Sequence, residues 1–177
     1  IISAVPDLLV SPLNSSILKR AQTKGKVEII IHNLRDYAFN KHKQIDDKPF
    51  GGGPGMVLKP EPFFECIEKL LSERKYDHII FTTPKGKLFD QKIANRLSLA
   101  KNILFIAGHY KEIDDRVRTK FATDEYSIGN FVVTGGELPA LIMIDAVIRL
   151  IPGVLNDSES ALDDSFQDGE VIEAPYY

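Results

Sequence analysis

Three groups of residues in this 177-residue chain have the types and spacing to do chemistry. The first is the run Ser127-Ile128-Gly129-Asn130-Phe131-Val132-Val133-Thr134-Gly135-Gly136, which leads from a short β-like segment into the apolar helix that opens at Glu137-Leu138-Pro139. Glycine has no Cβ, so Gly129, Gly135 and Gly136 let main chain bend sharply and approach a bound molecule, and the helix that follows is expected to offer unpaired N–H groups. A ligand held mainly by backbone is the expectation here. The second group is ionic. Arg149 ends an otherwise apolar helical run, where a guanidinium needs a partner; Asp145, one turn back, would satisfy it structurally. Asp163-Asp164 lie in an acidic stretch, where such a pair reads as solvated or as a helix cap. The third is Gly51-Gly52-Gly53-Pro54-Gly55-Met56. It lacks the terminal Lys-Ser/Thr of a phosphate loop, so it either shapes the surface or lets a polymer's backbone or base come close, with Lys41, His42, Lys43 and Lys48 just before it as phosphate contacts.

The elements that must position these groups follow from hydrophobic period. Strand-like runs fall at 1–5, 27–31, 78–82 and 103–107, and helical periodicity at 15–24, 61–71, 90–100 and 137–150. Alternation of this kind specifies an α/β fold with a mostly parallel sheet and helices on both faces. Ile79-Ile80-Phe81 and Ile103-Leu104-Phe105-Ile106 read as inner strands buried on both faces. Thr82-Thr83-Pro84 and Gly108-His109-Tyr110 follow them directly, which puts polar loops at the carboxyl edge where open α/β sheets bind ligands. With residues 127–136 that makes three loops around one pocket. His109 is read as a hydrogen-bonding loop residue, because no Cys or Ser nucleophile motif accompanies it.

Composition narrows the classes. At 44% hydrophobic and 27% charged residues the chain is long enough for one well-buried domain. A net charge of -3 and a pI near 5.8 exclude a protein that coats nucleic acid by overall charge and leave only a local basic patch. Cys66 is the sole cysteine and His32, His42 and His78 are scattered, so there is neither a disulfide framework nor a metal-ligand spacing; no metal site is expected. The apolar runs fall short of a membrane span, and a cytoplasmic location fits. Residues 156–177 are acidic and weakly periodic and read as a flexible interdomain connector after a domain at 1–155.

Taken together, Asp47-Lys48-Pro49-Phe50-Gly51-Gly52-Gly53-Pro54-Gly55-Met56, Gly108-His109-Tyr110-Lys111-Glu112-Ile113-Asp114-Asp115-Arg116-Val117, residues 127–140, residues 144–155 and Asp164-Ser165-Phe166 resemble the bacterial tRNA (guanine-N1)-methyltransferase family of the SPOUT class. The resemblance covers essentially the whole chain. It implies a catalytic domain with a deep C-terminal trefoil knot, S-adenosyl-L-methionine as cofactor, and methyl transfer to N1 of guanine 37 of tRNA. The cofactor positions it implies are Phe81, Thr82, Thr83, Pro84, Gly108, Tyr110, Ser127, Ile128, Gly129, Asn130, Phe131, Val132, Val133, Gly135, Gly136 and Pro139. The implied tRNA positions are Lys43, Asp47, Gly52 and Gly53. Asp164 matches the family's general base and Arg149 its cation at the guanine O6. A homodimer with the active site across the interface is implied too, as is a C-terminal tRNA-binding helical domain that this chain does not include. Dependence on Mg2+ is not decided by sequence. The chain departs from the family pattern at Asn130, where Asp is common, at Lys111, where Glu is frequent, and at Glu112, where Gly is usual. The competing class is a non-catalytic RNA-binding module using the lysine patch and the glycine loop; a phosphate-loop nucleotide hydrolase is a distant third.

Overall fold

The computed structural model describes residues 1–155 and 165–166. Its main sheet has five parallel strands in the order β2-β1-β6-β5-β8, formed by β1 (Ile2–Ser3), β2 (His32–Asn33), β5 (His78–Leu88), β6 (Ile103–Ala107) and β8 (Asp124–Ser127). A small second sheet joins β3 (Asp46–Asp47), β4 (Val57–Leu58) and β7 (Glu112–Ile113); β3 pairs antiparallel to β4 and β4 parallel to β7.

Alternation along the central strands explains the layers. Ile80 and Phe105 face one side, where they meet Leu9 and Leu13 of α1 (Asp7–Leu13), Leu18 and Ala21 of α2 (Ser16–Thr23), Ile93 and Leu97 of α4 (Gln91–Leu97), and Met143, Ile144 and Val147 of α6 (Glu137–Ile148). Ile79, Phe81, Leu104 and Ile106 face the other, against Phe63, Cys66 and Ile67 of α3 (Pro60–Glu73) and Val117 and Phe121 of α5 (Asp115–Phe121). The α/β class, the mostly parallel sheet and the helices on both faces are therefore as expected. Local signals set the helix starts. Pro60 opens α3, where a missing N–H costs nothing. The Asp90 carboxylate accepts the Ile93 N–H at 2.8 Å and caps α4.

Two expectations change. The strand expected at 27–31 is extended chain without a ladder: Val27, Ile29 and Ile31 pack against the first core while Ile30 is exposed, and pairing with β1 is confined to His32 and Asn33. The expected helices at 90–100 and 137–150 end earlier, at Leu97 and Ile148. Strand β5 is also longer than its apolar run. Thr82 and Lys87 both register with Tyr126, so residues 83–86 leave the ladder and return to it. That excursion forms one wall of the site.

Candidate active site

Two walls of the site follow the carboxyl ends of the parallel strands β6 and β8, the third is the excursion at residues 83–86 within β5, and polar contacts sew the walls together. The Thr82 hydroxyl lies 3.2 Å from the Gly136 carbonyl and 3.3 Å from that of Ile106, within donating distance of both. The Gly136 N–H donates to the Gly108 carbonyl at 2.6 Å. A Cβ on Gly136 would overlap the Thr82 hydroxyl and stand 2.8 Å from the Gly108 nitrogen, so only glycine lets these three chain segments meet. The N–H of Gly136, the residue that precedes α6, is thus taken up by the neighbouring loop. On the third wall the Ser127 hydroxyl donates to the Gly129 carbonyl at 2.8 Å and receives its N–H at 3.2 Å.

Beneath the loops lies Glu137, fully buried at the start of α6. Its carboxylate accepts the Ser3 hydroxyl at 2.8 Å and faces His109 Nδ1 at 3.4 Å. A Cβ on Gly135 would come 2.5 Å from that carboxylate and 2.6 Å from His109 Nδ1, so Gly135 makes room for the pair. His109 is thus the hydrogen-bonding loop residue the sequence suggested. Glu137, buried and tying β1, the 108–110 loop and α6 together, was not singled out, although a carboxylate directly after a Gly-Gly pair at a helix start was a visible signal.

The resulting cleft encloses about 980 Å³, including the part open to solvent. Phe81, Thr82, Thr83 and Pro84 line it from β5, Gly108 and Tyr110 from the loop after β6, and Ser127, Ile128, Phe131, Val132, Val133, Gly135, Gly136 and Pro139 from the segment between β8 and α6. Gly129 and Asn130 alone among the implied cofactor positions are not part of the lining. The walls divide by character. Ile128, Phe131, Val132, Val133 and Pro139 make an apolar side, with Val132 81% exposed over the opening. Lys85, Lys111, Glu112, Asp115 and Arg118 put both signs of charge at the rim. Glu112 lies in β7 and reaches across to Lys85 Nζ at 2.7 and 2.9 Å. The Arg118 guanidinium bonds Asp115 at 2.6 Å and Glu125 at 2.9 Å, and it holds the Asp115 carboxyl below its ordinary range.

The glycine loop borders this rim. Lys111 donates its N–H to the Met56 carbonyl at 3.0 Å, and Lys111 side-chain atoms lie 3.8 and 3.6 Å from where a Cβ of Gly53 or Gly55 would be. Of the implied tRNA positions, Lys43 pairs with Asp36 at 3.1 Å and Asp47 with Lys59 at 3.8 Å; Gly52 and Gly53 stand exposed in left-handed backbone. Arg149 lies elsewhere: it follows the last turn of α6 and lines a groove with Pro12, Ser15, Leu141, Ile142 and Asp145, apart from the cleft. Asp164 and Asp163 fall outside the described residues. Among the described residues no three His, Cys, Asp or Glu side chains gather in a way that could hold a metal ion.

Comparison with known proteins places this geometry. The family model for tRNA (Guanine-1)-methyltransferase TrmD matches residues 1–177. The tRNA (guanine-N(1)-)-methyltransferase of Chlorobaculum tepidum is 56% identical over all 177 residues, which span 76% of that protein. The Bacteroides fragilis protein of the same name is 54% identical over the whole chain and 78% of its own length. Among solved structures, the tRNA (m1G37) methyltransferase from Aquifex aeolicus superposes with a TM-score of 0.80 at 38% identity, covering 88% of this chain and 70% of that one.

Proposed function

Since the chain belongs to the tRNA (guanine-1)-methyltransferase family, we propose that it transfers a methyl group from S-adenosyl-L-methionine to N1 of guanine 37 in tRNA, beside the anticodon. The observation that carries this reading is the three-loop cleft. Its apolar side, from Ile128 to Pro139, suits an adenine ring, its backbone groups suit the ring's nitrogen edge, and its rim charges of both signs suit a zwitterionic amino-acid end. The cofactor supplies a methyl group made electrophilic by its sulfonium.

The chain's own residues supply the remainder. Guanine N1 carries a proton at neutral pH, and its lone pair becomes available as that proton leaves and negative charge spreads toward O6. Asp164 accepts the proton and Arg149 meets the charge at O6. Holding N1 in line with the methyl group contributes further, up to roughly 7–11 kcal/mol in favourable cases. Lys43, Asp47, Gly52 and Gly53 bind the tRNA at the rim.

A homodimer accommodates the position of Arg149. Leu138, Ile142, Asp145 and Arg149 follow one another along a single stripe of α6, and Leu138 and Ile142 are exposed, as are Leu8 and Val10 of α1. An apolar stripe ending in a guanidinium fits a second subunit whose cleft receives Arg149 from across the interface. The knotted path of residues 1–155 and the connector role of 156–177 belong to the same proposal, as does a cytoplasmic setting; no helix among the described residues is long and apolar enough to cross a membrane. The test is methyl transfer to tRNA with the product base mapped, with and without Mg2+. Asp164→Asn should abolish transfer while leaving cofactor affinity within about two-fold. Transfer at the parent rate would remove Asp164 as the base, and salt-sensitive RNA binding without any transfer would favour a non-catalytic module.

A further inference from the structure

Phe50 is 99% exposed, the most open large apolar side chain among the described residues. Its position is built, not loose. The Gly52 N–H donates to the Pro49 carbonyl at 3.1 Å and Gly51 has φ +87°, so residues 49–52 form a turn of the kind that needs glycine at its third position and puts Phe50 on the leading corner. The turn sits at the tip of a hairpin closed by Asp47↔Val57 pairing, and β4 in turn pairs with β7, Val57 opposite Glu112. Lys111 of the cleft rim packs under Gly53 and Gly55. The turn that carries Phe50 is therefore joined through β4 and β7 to the rim of the cleft.

Lys41, Lys43 and Lys48 are all exposed within the ten residues that end at Phe50; Lys43 pairs with Asp36 at 3.1 Å, and the intervening Asp47 with Lys59 at 3.8 Å. A flat, exposed apolar ring on a segment that also carries exposed ammonium groups matches an aromatic plane carried on a polyanion, which is an unstacked nucleobase of single-stranded RNA. We propose that Phe50 stacks on an unpaired base of the tRNA anticodon loop next to the base that receives the methyl, and so presents that base to the cleft. The proposal rests on the methyltransferase reading and extends it to a positioning residue.

The test uses the protein with tRNA and with S-adenosylmethionine separately. Phe50→Ala should raise the KM for tRNA roughly ten- to hundred-fold, the range that base–aromatic stacking commands, with cofactor affinity unchanged. Phe50→Tyr and Phe50→Trp should restore the parent value. The salt slope of tRNA binding should stay the same in Phe50→Ala but fall by about one in Lys48→Gln. With 2-aminopurine substituted singly through the anticodon loop, one position should lose fluorescence on the parent protein and keep it on Phe50→Ala. Unchanged tRNA affinity in Phe50→Ala overturns the proposal. So does a change in oligomeric state or cofactor affinity, because the ring would then be packing on protein. A parent protein that methylates tRNA while Phe50→Ala does so equally well removes only the stacking role; a parent that binds neither tRNA nor S-adenosylmethionine removes both readings.

Discussion

Replacing Gly136 by alanine tests whether the three cleft loops hold together by close backbone approach. The added methyl would overlap the Thr82 hydroxyl and press on the Gly108 nitrogen at 2.8 Å and the Ala107 Cα at 3.1 Å. Thr82 is short and buried, so it can yield only by rotating away from the Gly136 and Ile106 carbonyls. Overpacking of this kind costs about 1–3 kcal/mol and each displaced hydrogen bond about 1 kcal/mol. The sum is about 2–4 kcal/mol, which for a domain of this size lowers Tm by roughly 5–15 °C. Thermal unfolding followed by circular dichroism reads it directly. Gly25→Ala is the control: its φ is +65° with nothing within 4 Å of a Cβ, so it carries only the left-handed backbone cost of about 1–2 kcal/mol. The double variant Thr82→Ala with Gly136→Ala should lose less than the sum of the single variants, with a coupling of about 1 kcal/mol or more. A Gly136→Ala protein melting within about 1 °C of the parent, or strictly additive effects, would refute the reasoning.

Other consequences lie away from the cleft. Asp124 is pushed upward by burial, yet bonds from His78 at 2.8 Å, Tyr126 at 2.8 Å and Thr123 at 2.8 Å outweigh this and hold its carboxyl below the ordinary value. Its stabilisation is therefore complete above about pH 3.9 and is lost as pH falls through the depressed folded value. Asp124→Asn should flatten the acid limb of a stability–pH curve, and an unchanged limb would show that the cluster contributes nothing. The Cys66 thiol is fully buried and pushed up to about 11 by burial, so native protein should react with a thiol reagent only at the rate of its opening, and labelling that tracks reagent concentration without denaturant would contradict this. Glu137→Ala takes away the acceptor of the buried Ser3 hydroxyl proton, whose oxygen keeps only the Val5 N–H at 2.9 Å, and should destabilise by about 1–3 kcal/mol in denaturant titration, with no loss meaning that the buried carboxylate is not structural.

Much of this molecule was legible in its sequence because the central strands announce themselves. Ile79-Ile80-Phe81 and the run from Ile103 to Ile106 are apolar on both faces, and the loops that follow them necessarily gather at one edge. What escaped lacks a local signal. Helix α1 contains Pro12 and follows Pro6, which read as breakers, yet its short span tolerates them. Helix α5 is so rich in charge that only Val117 and Phe121 mark its buried face. The strands β3, β4 and β7 are two residues each, and no periodicity exists at that length; they form because the glycine hairpin is drawn against the 108–113 loop. Strand β8 reads Asp-Glu-Tyr-Ser, and its charges survive because Arg96, Arg118 and His78 meet them. The cleft positions came from glycine spacing and from family likeness together, whereas the separation of Arg149 from the cleft depends on which face of α6 it occupies, and a helix that is apolar almost all round does not reveal that.

Calorimetric titration of the protein with S-adenosylmethionine tests most directly whether the three loops form a cofactor site. The account predicts saturable binding at about one site per chain in the micromolar range. A folded sample that gives no binding heat and no thermal protection by S-adenosylmethionine would contradict it.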